Sequence, residues 1–124
     1  MENKYQAEIK QKWGATNAYE EYEKITKNYS KDKWKELSLE MNNIFKSFSD
    51  CMINKASFCS EKTQSLVKKL QKYITNNYYT CTNEILYGLG QMYVNDERFK
   101  ENIDQHYEGT SYYVYDAIKY YCNL

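Results

Sequence analysis

The feature that most narrows the fold is an apolar repeat at three- and four-residue spacing, uninterrupted by proline anywhere in the 124-residue chain. In "DKWKELSLEMNNIFKSFSDCM", Trp34, Leu37, Met41, Ile44, Phe45, Phe48 and Met52 share one side of a helix. Lys35, Glu36, Glu40, Asn43 and Lys46 fall on the other. Ser30 is placed to cap this helix, and Asp32 complements the dipole of its first turn. A second run, Leu66, Leu70, Tyr73, Ile74, Tyr78, Cys81, Ile85, Leu89 and Met92, continues for roughly seven turns. A straight rod of that length overhangs a domain of this size. The spacing therefore predicts two packed helices with a break at "TNNYYT", where Asn and Thr side chains compete for backbone hydrogen bonds.

Shorter segments fill the rest. "NKASFCSE" has no period and reads as a loop, with Ser60 and Glu61 opening the next helix. Thr16 is placed to cap "NAYEEYEKITKNY", a polar, weak helix with Tyr19, Tyr22 and Ile25 on one side. Asn95 or Asp96 caps "ERFKENID", Gly109 ends the "QHYEG" link, and Thr110 or Ser111 opens a last helix. The inner stripe of that helix is Val114, Ala117, Ile118, Tyr121 and Leu124. Gly88 and Gly90 lie inside a helix, where each costs about 1 kcal/mol relative to Ala unless close packing or an approaching ligand compensates. No stretch alternates with strand period and nothing repeats. The expected architecture is one all-α domain of about six helices spanning residues 1–124.

Charge and motif content exclude several functions. The formal net charge is zero, so this chain alone has no built-in attraction to nucleic acid or to an anionic membrane. No run of about 18 apolar residues exists, and "MENKYQAEIKQKW" lacks the apolar centre of a signal peptide, which points to the cytoplasm. Cys51, Cys59, Cys81 and Cys122 never form a C-x-x-C pair, and His106 is the single histidine, so no metal site is expected. Gly88 and Gly90 follow no strand and precede no Lys-Ser/Thr pair, unlike a phosphate-cradling loop. Asp96 reads as a cap, and Arg98 as a tie between helices through a carboxylate. His106 falls in a surface link. No catalytic residue and no cofactor is expected, and the chain reads as a binder, not an enzyme.

The positive signal is aromatic. Tyr accounts for 15 residues, beside 2 Trp and 4 Phe. Trp13, Tyr19, Tyr22, Tyr29, Trp34, Tyr78, Tyr79, Tyr87, Tyr93, Tyr112, Tyr113 and Tyr115 carry too many polar tips to bury unpartnered in so small a core. Some of them should line a cleft, and such a cleft suits a large, flat, heterocycle-rich ligand.

Five segments, "KWGATNAY", "YSKDKW", "NNYYTC", "GLGQMYVNDERFKENID" and "GTSYYVYDAI", resemble in this order the TipAS antibiotic-recognition domain. That domain is the effector module of certain MerR-type transcriptional activators and is also found alone. The likeness runs from about Lys12 to the C-terminus. "MYVNDERF" fits the family's M-Y-V-x-D-x-R-F pattern throughout, whereas Lys12 and Tyr78 replace the Arg of R-W-G-x-T and the Phe of F-Y-x-C. The resemblance implies a globin-like helical fold without haem whose cleft takes thiopeptides or other multi-ring natural products such as albicidin. It also implies a lid over residues 12–29 that orders on binding, above a core of residues 30–124.

Two departures shape the expected site. The family's founding member captures its ligand through a cysteine seven residues beyond the F-Y-x-C cysteine, and Gly88 stands there in this chain. Leu70 replaces a histidine often found on the preceding helix. Binding is therefore expected to be non-covalent, with Trp13, Tyr19, Tyr22, Tyr29, Trp34, Tyr79, Cys81, Tyr87, Gly88, Met92, Tyr112 and Tyr115 as ligand contacts. Asp96, Arg98 and Phe99 are expected to shape the wall. The partner is a small-molecule antibiotic, bound by a monomer or homodimer. A stand-alone sequestering protein is the first expectation, because Met1 stands so close to the start of the likeness. The effector half of a regulator, detached from its DNA-binding half, is the second.

Overall fold

Six helices follow one another in the computed structural model, which describes residues 17–123: α1 (Asn17–Thr26), α2 (Lys31–Ile53), α3 (Glu61–Asn77), α4 (Asn83–Asn95), α5 (Glu97–Asp104) and α6 (Thr110–Tyr121). No strand occurs among the described residues. Lys12, Trp13 and the expected cap Thr16 lie outside them.

Side-chain caps fix most of the helix starts. Ser30 Oγ accepts from the Lys33 amide at 3.0 Å, Ser60 Oγ from Thr63 at 3.3 Å, and an Asp96 carboxylate oxygen from Arg98 at 2.9 Å. Thr82 does the same for Ile85 at 3.2 Å and so divides the long apolar run into α3 and α4. The break falls at the expected place. Beyond Asn77 the amides of Tyr78 and Tyr79 both turn back to the Ile74 carbonyl, at 2.9 and 3.2 Å. The Gln71 amide spans the corner, donating to Cys81 O at 2.9 Å and to Asn83 Oδ1 at 2.8 Å.

Thr110 opens the last helix as expected, behind Gly109, which takes the cap position at φ 92° with no side-chain cap bond. Thr110 is already helical, and its hydroxyl donates to Tyr107 O at 2.6 Å. Only a residue without Cβ enters the left-handed region cheaply, and a Cβ on Gly109 would also meet Met52 Cε at 3.0 Å. The first helix stops at Thr26 instead of running on to Tyr29, and Ile25 lies on its exposed side at 37%.

Helix α6 is central to the core and packs against α2, α3, α4 and α5. Val114, Ala117 and Ile118 are fully buried there with Phe48, Val67, Leu70, Leu86 and Leu89. A Cβ on Gly90 would sit 3.2 Å from a Tyr115 ring carbon and 3.3 Å from Ile118 Cδ1. Close packing of α4 on α6 therefore accounts for this mid-helix glycine. Ser49 and Thr110 bridge α2 and α6 through buried hydroxyls 2.8 Å apart. No described helix is long and apolar enough to cross a membrane.

Candidate ligand-binding site

A cavity of about 270 Å³ opens between the first half of α2 and helix α5. Trp34, Met41 and Phe45 form the α2 wall and Phe99 with Ile103 the α5 wall, while Tyr73, Tyr78 and Tyr93 close it from α3, the α3–α4 corner and α4. Ser38, Asn42, Asn102 and Gln105 also line it and are exposed, which makes the mouth polar and the interior aromatic. No lining residue is acidic or basic.

The phenols are ordered by the bonds they make. The Tyr73 hydroxyl donates to Leu37 O at 2.7 Å. A carbonyl only accepts, so Tyr73 has used its single proton there, and the 3.0 Å contact between Tyr73 and Tyr78 is a bond donated by Tyr78. Burial is the main cause that pushes the Tyr73, Tyr78 and Tyr93 hydroxyls well above the ordinary phenol range. All three stay protonated and neutral at physiological pH. The Tyr93 ring meets Phe45 edge-on at 5.5 Å and Phe99 at 6.2 Å, and its hydroxyl has no hydrogen-bond partner among the described residues.

Tyr78 connects the cavity to α1. Its ring stacks on Tyr22 at 6.0 Å and 19°, and on Trp34 at 6.1 Å and 25°. Tyr29 meets Trp34 edge-on at 5.3 Å and donates to Asn77 O at 2.5 Å. Glu21 completes the docking of α1 by accepting from the Thr80 amide at 3.2 Å and its hydroxyl at 2.7 Å. Helix α1 thus rests on the corner that closes the cavity.

The aromatic residues singled out from sequence divide into three places. Trp34 lines the cavity, and Tyr22 and Tyr29 reach it through the ring stack. Tyr79, fully buried, joins the same aromatic group through Tyr22 at 6.5 Å, and Tyr19 is half-buried against the core. Tyr87 and Tyr115 form a separate stack on α4 and α6, at 6.1 Å and 26°, with Lys119 Nζ 5.6 Å from the Tyr115 ring. Tyr112 is half exposed beneath Lys100, Met92 is buried in the core, and Gly88 is half-buried on α4. None of these last five lines the cavity.

Cys81 is buried at the α3–α4 corner. Burial first, and then the nearby Cys122 thiol, push its pKa up to about 12, so it is held as an unreactive thiol. On the α5 side, Phe99 lines the cavity, and Arg98 pairs with the cap residue Asp96. Its Nε and Nη2 bond Asp96 at 3.0 and 2.7 Å. Those bonds hold the Asp96 carboxyl down at about 2. Tyr73, Phe45 and Ile103 were not singled out as site residues, since the first two read only as inner helix face and Ile103 carries no signal of its own.

The family model of the TipAS antibiotic-recognition domain matches residues 5–121. The HTH-type transcriptional activator TipA of Streptomyces coelicolor is 33% identical over 116 residues, covering 94% of this chain and 46% of that protein. The HTH-type transcriptional activator mta of Bacillus subtilis is 34% identical over 119 residues, covering 96% and 45%. The chain spans about half the length of these relatives. The solved structure of TipAS from Streptomyces lividans in complex with nosiheptide, a thiopeptide antibiotic, superposes with a TM-score of 0.80 at 33% identity, covering 96% of this chain and 82% of that one. The two share an all-α, globin-like fold, and the chain belongs to the TipAS antibiotic-recognition domain family.

Proposed function

We propose that this domain binds bulky multi-ring antibiotics of the thiopeptide or albicidin type, without covalent attachment and without chemical change, and so sequesters or senses them. The observation that carries the reading is the uncharged aromatic cavity of about 270 Å³ beneath the Tyr22–Tyr78–Trp34 stack. That volume is at the small end for a ligand pocket and takes one or two linked rings, leaving the rest of a large ligand across the polar mouth. The nosiheptide held by the related S. lividans domain supports the ligand class. The neutral Cys81 thiol and the glycine at position 88 support non-covalent binding.

Residues 12–29 act as a lid in this reading, coupled to the cavity by the shared ring of Tyr78, and the protein works in the cytoplasm. The effector role in a longer regulator is the second reading, favoured by relatives that are HTH-type activators about twice as long. Titration of Trp fluorescence with nosiheptide tests the binding. A saturable change with recovered ligand of unaltered mass is expected. Absence of saturation, or a mass change in ligand or protein, would overturn it.

A further inference from the structure

Tyr93 stands apart from the other phenols of the cavity. Tyr73 has given its proton to Leu37 O, and Tyr78 bonds to Tyr73. Tyr93 is 1% exposed, lines the cavity, and has a hydroxyl that no described group satisfies. Phe45 and Phe99, the rings against it, offer no polar atom. Asn42, Asn102 and Gln105, also in the lining, are exposed to solvent. A buried hydroxyl with no partner destabilises the empty protein, and a ligand that supplies the partner recovers that loss. A phenol is a better donor than acceptor, because its lone pair is partly delocalised into the ring. With no charged residue in the lining, an ionic ligand group would find no counter-charge.

We propose that the Tyr93 hydroxyl donates a hydrogen bond to the buried end of the ligand, selecting an uncharged aromatic ring with an acceptor atom, a heterocyclic nitrogen or a carbonyl oxygen. The inference rests on the cavity being the ligand site and names the chemistry that site selects. Tyr93 is then a specificity-determining residue whose effect depends on which atom the ligand presents.

Quinoline and naphthalene have the same shape and differ by one acceptor nitrogen. Affinities of both are measured by NMR titration on the wild-type domain and on Tyr93→Phe. The quinoline-to-naphthalene affinity ratio should fall at least fivefold in the variant, because a hydrogen bond and not shape has been lost. N-methylquinolinium, charged and without the lone pair, should bind the wild type at least tenfold more weakly than quinoline. A ratio unchanged within twofold, or N-methylquinolinium binding as well as quinoline, overturns the proposal and leaves the cavity reading intact. Failure of both quinoline and naphthalene to shift any cavity resonance overturns the two together. Should Tyr93→Phe not fold, tyrosine labelled with ¹³C at Cζ gives the same answer in the wild type. The Tyr93 signal moves with quinoline and not with naphthalene, and equal shifts would sink the idea.

Discussion

Tyr22 lies flat against Tyr78, ring centroids 6.0 Å apart and planes 19° from parallel, and Tyr78 is also a lining residue of the cavity. One ring therefore belongs both to the ligand site and to the seat of α1. Offset aromatic pairs contribute about 0.5–1.5 kcal/mol beyond the area they bury. Tyr22→Ala removes both contributions and should release α1 while α2–α6 stay folded. Amide exchange over residues 20–26 should rise sharply with little change elsewhere, and nosiheptide affinity should fall by roughly tenfold, equivalent to about 1.4 kcal/mol.

The buried hydroxyl pair between α2 and α6 has a direction. Thr110 donates to Tyr107 O at 2.6 Å, so Ser49 donates to Thr110 across 2.8 Å. Ser49→Ala leaves the Thr110 bond to Tyr107 in place and should cost about 1 kcal/mol. Thr110→Val leaves the buried Ser49 donor without its acceptor, while Tyr107 O keeps the residue-110 amide at 3.1 Å, and should cost about 2 kcal/mol. Urea denaturation of the two variants checks the order.

At Gly90 two effects oppose one another. Alanine would gain about 1 kcal/mol of helix propensity. Its Cβ would crowd Tyr115 at 3.2 Å and the fully buried Ile118 at 3.3 Å. Overpacking of this kind costs about 1–3 kcal/mol. Gly90→Ala should therefore destabilise by about 1 kcal/mol, read as a lower Tm, with the Tyr87–Tyr115 stack disturbed.

Asp96 sets an acid dependence. Its hydrogen bonds to Arg98 hold the folded-state pKa at about 2, below the ordinary 3.8. A depressed carboxyl stabilises fully above its unfolded value and loses that stabilisation as pH falls through the folded one. The contribution should thus fade between about pH 4 and pH 2. The Arg98 side chain is 48% exposed, so solvent screening limits the pair to at most about 1 kcal/mol. Asp96→Asn keeps a capping side chain and should flatten that part of the stability–pH curve. Arg98→Ala should lower stability and loosen ligand binding together, because Phe99 leaves the corner that α5 holds.

Helix order, the position of the α3–α4 break and the caps Ser30, Ser60 and Asp96 could all be read from local rules, because spacing and capping chemistry act within a few residues. The excess of tyrosine correctly signalled an aromatic hollow. Which tyrosines face it was not legible. Tyr73, on the apolar repeat, meets α2 through Leu37 O and lines the cavity, whereas Tyr87, off the repeat, meets α6 through Tyr115. Only the packing of distant helices separates them. The bond that uses the Tyr73 proton goes to Leu37 O, a backbone atom 36 residues away. The bond between Arg98 and its own cap was not legible either: a cap residue lies outside its helix, so the Asp96 carboxylate can fold back over the first turn and meet a side chain only two positions away.

Because α6 touches α2, α3, α4 and α5, the preceding helices cannot seal their apolar faces until this segment has emerged from the ribosome. Val114, Ala117 and Ile118 are translated late and fill space that every earlier element leaves open. A released chain truncated before Gly109 should remain a chaperone client and protease-sensitive, whereas one extended through Tyr121, by roughly three turns of helix, should become resistant.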